Sequence, residues 1–260
     1  PLLNDTIKVI LKLKTQIKEL MIKTYFEILD KINDNILDKI ELISKYSVKM
    51  DVIVNKVYIA KKYNYCKPLI SNNVKKSFVD VKDIRHCLIE HLQENEIYVT
   101  NDISIGKENN HNGILLYGTN AVGKTSLIRS LGVSIIMAQS GCYVPASSFI
   151  YKPYTAIFSR ILSNDNLFKG LSTFAVEMSE LRVILKMSDE NSMILGDELC
   201  SGTETQSAIS IFLAGLTTLH NKESSFIFAT HFHEIVDYDE ELPEQKKNKF
   251  LSNSSLFYSI

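Results

Sequence analysis

The chain has 260 residues, 45% hydrophobic and 23% charged, with a formal net charge of −1 at pH 7. That length and balance suit one large globular domain or two modest ones and exclude collagen-like, mucin-like and wholly disordered classes; a charge near zero supplies no long-range field for nucleic acid or membrane. Four scattered cysteines (Cys66, Cys87, Cys142 and Cys200) argue against a disulfide framework or a zinc site and suit a reducing, intracellular setting, with no membrane partner, since no apolar run is long enough to cross a bilayer. Pro1 in place of an initiator methionine, with no signal-peptide layout, leads us to expect part of a longer protein.

Residues 2–67 contain neither glycine nor proline, so a segment rich in Leu, Ile, Lys and Glu favours helix. Ile10, Leu13, Ile17, Leu20, Tyr25, Ile28, Ile32, Ile36, Ile40 and Ile43 recur every three to five residues as one apolar stripe. A single helix over 2–46 would run roughly 65 Å, which predicts an extended arm rather than a compact bundle. Asn33, Asp34 and Asn35 are where an interruption is expected, and a second helix is predicted over 48–61. Pro68 disfavours helix at Lys67, which divides the chain into a helical segment, 1–67, and a second domain, 68–260.

Beyond Pro68 short apolar runs alternate with helical stretches. Residues 97–99, 113–117, 192–195 and 225–229 read as strands, and 125–139, 174–186 and 205–220 as helices, with 107–112 a polar hairpin loop or turn. Such alternation predicts an α/β fold with a mostly parallel sheet.

Gly118-Thr119-Asn120-Ala121-Val122-Gly123-Lys124-Thr125 fits G-x-x-x-x-G-K-[ST] and lies between an expected strand and an expected helix. The glycines permit a tight turn in which successive N–H groups face one point, and the helix N-terminus adds positive potential there. Lys124 then supplies an ammonium for the β- and γ-phosphates, and the Thr125 hydroxyl a ligand for Mg²⁺. Met193-Ile194-Leu195-Gly196-Asp197-Glu198 is the apolar run ending in carboxylates that completes such a site: Asp197 in the Mg²⁺ shell, Glu198 to orient and deprotonate an attacking water. Asn221-Lys222-Glu223-Ser224 lacks the aspartate of N-K-x-D, so adenine is the expected base. His231 follows another apolar run, where an imidazole could hydrogen-bond the γ-phosphate; on spacing alone a His-x-His pair also describes surface or capping residues.

These motifs, in this order, resemble the ATPase part of the MutS family of DNA mismatch-repair proteins. Residues 118–126 are similar to the family's G-P-N-M-G-G-K-S-T and 138–146 to A-Q-x-G-x-F-V-P-A. Residues 172–180 are similar to S-T-F-M-V-E-M-x-E, 197–205 to D-E-x-G-R-G-T-S-T and 228–234 to F-A-T-H-Y-x-E, while Arg85-His86 stands where the family has R-H-P. The resemblance implies a P-loop NTPase of ABC type, preceded by long helical lever segments, that binds and hydrolyses ATP with Mg²⁺ and holds ATP or ADP between two subunits of a homo- or heterodimer. Gly118, Asn120, Gly123, Lys124, Thr125 and Ser126 would cradle the phosphates, Tyr98 would stack on adenine from the strand before the loop, and Ser172 would reach the partner's nucleotide. Glu198, His231 and Lys124 would carry catalysis, with Thr125 and Asp197 on the metal. Mismatched or branched DNA would be held by domains that this chain lacks, in the cytoplasm, nucleus or an organelle, or in a virus-encoded protein.

Several positions depart from the family's pattern. Thr119, Ala121 and Val122 replace Pro, Met and Gly in the loop; Cys200 and Ser201 replace Gly and Arg, and Cys87 replaces Pro. Val122 and Ser201 raise one alternative, a non-hydrolysing ATP-binding structural subunit; a second, a relative acting in recombination rather than mismatch repair, stays open because no lesion-reading domain is in this sequence.

Overall fold

The computed structural model describes residues 2–92, 98–107, 111–117, 122–161, 173–197, 199, 204–231 and 255–259. The chain divides into two compact units, Pro1–Val57 and Tyr58–Ile260.

The first unit is helix throughout its described length. Helix α1, Leu2–Tyr63, starts there and its last turns belong to the second unit. The expected interruption at Asn33, Asp34 and Asn35 is absent, and the separate helix over 48–61 is the continuation of the same helix. The reason is energetic: Asn and Asp each cost only about 0.7 kcal/mol in a helix interior, far less than proline, and no glycine or proline stands nearby. Within the first unit the helix is about 85 Å long at 1.5 Å per residue. Ile10, Leu13, Ile17, Leu20 and the rest of the apolar stripe are exposed along it. Among the described residues no helix is long and apolar enough to cross a membrane.

The second unit is α/β, built on two sheets. The first joins β1 (Leu69–Ile70), β2 (Phe78–Ile84), β3 (Asn101–Ile105) and β5 (Ser148–Lys152) in the order β1-β5-β2-β3, with β2 antiparallel to both its neighbours. The second joins β4 (Gly113–Tyr117), β6 (Ala156–Arg160), β7 (Ser192–Asp197), β8 (Ser225–Thr230) and β9 (Ser255–Ser259) in the order β6-β7-β8-β4-β9, every pair parallel. The largely antiparallel sheet and β9 were not expected. The expected strand at 97–99 is a correction too: residue 97 lies outside the described residues, Tyr98 and Val99 precede the strand, and β3 begins at Asn101. Segment 107–112 is not a hairpin between paired strands, because β3 and β4 lie in different sheets. The short helix α2, Ile89–Leu92, follows β2.

Strands β4, β7 and β8 are buried on both faces, and their side chains alternate between two cores as the pleat requires. Ile114, Leu116, Met193, Leu195, Ile227 and Ala229 join one core; Leu115, Ile194, Phe226 and Phe228 join the other. Helix α3, Lys124–Gln139, covers the first face with Leu127, Ile128, Leu131 and Ile135, alongside Val79, Val81 and Phe149 of the antiparallel sheet. Helices α4 (Thr173–Met187) and α5 (Thr205–Asn221) cover the second with Leu181, Ile184, Ile209, Phe212 and Leu216. Gly196 permits a close approach: a Cβ there would lie 2.1 Å from Phe228 Cδ1.

Candidate phosphate and metal site

Three parallel strands end side by side. Tyr117 pairs with Thr230, and Asp197 with Ala229, so the ends of β4, β8 and β7 form one carboxyl edge. In open α/β sheets ligands bind outside this edge. Helix α3 starts at Lys124, seven residues after the end of β4, and its N-terminus carries the lysine and threonine expected to meet phosphate.

Gly123 caps α3 with a left-handed φ of 98°, no side chain among the described residues caps the helix, and a Cβ at Gly123 would meet no described atom within 4 Å. Glycine is therefore required here by backbone conformation and not by crowding. Val122, the β-branched departure from the family pattern, has no such demand: the positive-φ residues other than glycine, among those described, are Asn64, Asp83 and Glu223. The N–H groups of the first helical turn have no partner within the helix, and the summed peptide dipole makes that end electropositive. Lys124 is 5% exposed at the same end.

Thr125 Oγ1 donates a hydrogen bond to Asp197 Oδ2 at 2.6 Å, joining α3 to β7. Asp197 is 5% exposed, and its Oδ1 has no hydrogen-bond partner among the described residues. A buried carboxylate oxygen without a partner carries a desolvation penalty that a cation offsets. The donor set, a hydroxyl and a carboxylate, is the hard-oxygen type that Mg²⁺ prefers, so these residues fit that ion.

The other sequence-derived candidates are placed as follows. Ser126 stands in the first turn of α3, and its carbonyl accepts a hydrogen bond from Ser130 Oγ at 2.7 Å. Tyr98 Oη lies 3.4 Å from Ser130 Oγ, which brings the tyrosine to α3 although it is not in the strand before the loop. His231 directly follows β8 and is exposed. Gly118, Asn120, Ser172 and Glu198 lie outside the described residues, as do Cys200 and Ser201.

One group at this edge was missed. Arg160 ends β6 and pairs in register with Gly196, next to Asp197. Its guanidinium meets Glu177 at 3.3 Å and Glu180 at 2.8 Å, both on α4. The signal was present in α4, since Glu177 falls between Phe174 and Leu181 at the spacing of the helix's apolar stripe, where a carboxylate needs a buried cation.

Nearby, His86 is buried, and its Nδ1 accepts the N–H groups of Leu88 at 3.2 Å and Ile89 at 3.3 Å. Burial, with the Arg129 charge adding to it, lowers its pKa below the ordinary imidazole value.

Residues 114–255 match the family model for MutS domain V. The chain is 36% identical over 262 residues to a mutS homolog of Acanthamoeba polyphaga mimivirus, covering 88% of this chain and 23% of that protein. It is 38% identical to the mitochondrial DNA mismatch repair protein mutS homolog of Sarcophyton glaucum, covering 72% and 19%, and 35% identical to the DNA mismatch repair protein MutS of Clostridioides difficile, covering 95% and 26%. It thus spans about a quarter of the length of these relatives. With more than half of the chain inside the family model, and the carboxyl edge, the glycine-capped helix and the Thr125–Asp197 pair all falling within that stretch, the chain belongs to the MutS family.

Proposed function

We propose that the second unit is an ABC-type P-loop ATPase that binds Mg²⁺ and ATP, hydrolyses the nucleotide and works as a pair of subunits. The observation that carries this reading is the contact between Thr125 and Asp197, whose other carboxylate oxygen has no hydrogen-bond partner among the described residues, at the N-terminus of α3. Each residue has a task. Gly123 turns the backbone so that the first amides of α3 face the phosphates, and Lys124 offers its ammonium to the β- and γ-oxygens. Thr125 and Asp197 would hold Mg²⁺, which when bound supplies positive charge against the phosphate oxygens. Tyr98 stacks on adenine, with Ser130 fixing its hydroxyl. Glu198 orients water and takes its proton, His231 hydrogen-bonds the γ-phosphate, and Ser172 serves the nucleotide of the partner subunit.

Family membership supports a place for this chemistry in DNA mismatch repair. ATP-driven closure of two subunits would move the helical arm and a DNA-holding part elsewhere in the protein; a relative serving recombination would use the same ATPase. Calorimetry of the intact protein with Mg²⁺ and ATP tests the reading. Lys124→Ala should abolish the heat of binding. Glu198→Ala should bind normally and turn over at least about a hundredfold more slowly, as expected for loss of a general base. Normal turnover in Glu198→Ala removes the base, and no heat in the unsubstituted protein removes the function. The second reading, a non-hydrolysing subunit, is favoured by Cys200 and Ser201 in place of Gly and Arg. Phosphate release that rises per subunit with protein concentration excludes it.

A further inference from the structure

Arg160 has no task in the mechanism above. It is the last residue of β6, in register with Gly196 and hence beside the strand that carries Asp197. Its Nη2 lies 3.3 Å from Glu177 Oε1 and its Nε 2.8 Å from Glu180 Oε2. The Arg160 side chain is 13% exposed and that of Glu177 1%, whereas Glu180 is 47% exposed. One guanidinium therefore grips the first two turns of α4 at two points.

Stability does not explain the choice of residues. A buried ion pair is usually no better for stability than apolar side chains of similar size, because both charges must leave water. The same helix already packs by the apolar route at Leu181 and Ile184. What a forked, planar cation adds is geometry: two contacts made by different nitrogens set both the rotation and the height of the helix against the strand. The feature so fixed is the start of α4 at Thr173, and Ser172 is the residue just before it.

We propose that Arg160 is a positioning residue that ties the start of α4, the element directly after Ser172 in the chain, to β6, the strand beside the one bearing Asp197. The inference rests on the reading of Ser172 as a ligand of the partner's nucleotide.

The test uses the intact protein, with affinity for Mg²⁺ and ATP and steady-state phosphate release measured across protein concentration. Arg160→Met should leave nucleotide affinity within about twofold but lower kcat roughly tenfold or more, the scale of a misplaced catalytic group. Arg160→Lys, which keeps the cation and loses the fork, should fall between. Glu180→Gln, at an exposed position that does not threaten folding, should lower kcat by about two- to threefold with KM unchanged, in keeping with an exposed charged contact. Each loss should disappear in a Ser172→Ala background, since two changes acting through one contact do not add. Full additivity with Ser172→Ala, or an unchanged kcat in Glu180→Gln and Arg160→Met, overturns the proposal while the ATPase reading stands. Full turnover in Ser172→Ala alone instead refutes the reading beneath it, and the proposal with it.

Discussion

Gly196→Ala should destabilise the second unit through one steric conflict that a second substitution relieves. The added Cβ would sit 2.1 Å from Phe228 Cδ1 and 2.2 Å from Cε1, with Cγ at 3.2 Å. Carbon atoms pack best at about 3.5–4.0 Å, so the ring must move. It has little room: Phe228 is 2% exposed and stands edge-on to Phe212 at 5.5 Å and beside Phe226 at 5.9 Å. Overpacking of this kind costs about 1–3 kcal/mol, reduced slightly because alanine is less flexible than glycine in the unfolded chain. A net loss near 2 kcal/mol corresponds to a fall of roughly 4–8 °C in Tm for a unit of about 200 residues. Phe228→Val, which removes Cδ1 and Cε1 and keeps the atoms at Cγ, should cost about 2 kcal/mol alone. In the double variant the new methyl group occupies space the ring has left, so the total should stay near 2 kcal/mol instead of the additive sum of about 4. Urea denaturation of the four proteins, followed by far-ultraviolet circular dichroism, measures this coupling. Additivity within about 0.5 kcal/mol would refute the close-approach explanation of Gly196.

Two further outcomes follow from the site and its surroundings. His86 has a folded-state pKa below its unfolded value, so the unfolded chain binds the extra proton more readily and acid favours unfolding. Its stabilising contribution should be complete above about pH 6.5, the unfolded imidazole value, and be lost as pH falls from there through the lowered folded value. His220, also lowered chiefly by burial, has the same sign. His86→Asn, whose side-chain oxygen can accept the N–H groups of Leu88 and Ile89, should therefore flatten the stability profile below neutrality; an unchanged profile in denaturant titrations contradicts the assignment. Tyr98→Ala should weaken ATP binding about tenfold or more through loss of base stacking, whereas Tyr98→Phe, losing only the contact to Ser130, should bind nearly as well. Equal affinities of the alanine variant and the unsubstituted protein in a fluorescent-nucleotide titration would refute the stacking role.

Local chemistry made much of this protein legible in its amino acids. The absence of glycine and proline before Pro68 announces helix because nothing in that stretch opposes it, and α1 runs even longer than the Asn33–Asn35 cluster suggested. Helices α3, α4 and α5 and strands β4, β7 and β8 fall within two residues of their expected limits, since apolar periodicity and turn residues act over a few positions. The lysine and threonine after Gly123, and the carboxylate closing β7, are also a local pattern.

What sequence periodicity could not supply is which distant segments become neighbours. The first sheet depends on β2 pairing with β5 across about 70 residues, and the second on β9 joining β4 across about 140, spans for which pairing leaves no local trace. Tyr98 shows the same limit: it precedes β3, and its hydroxyl meets Ser130 of α3 without membership of the strand before the loop. The grip of Arg160 on Glu177 and Glu180 likewise needs a strand end and a helix start brought together by the packing of both cores. Residue type and spacing determined the chemistry available at the carboxyl edge, because those act within one turn or strand. Only the folded sheet decided which of those groups share an edge, because hydrophobic burial rewards contact and is indifferent to separation along the chain.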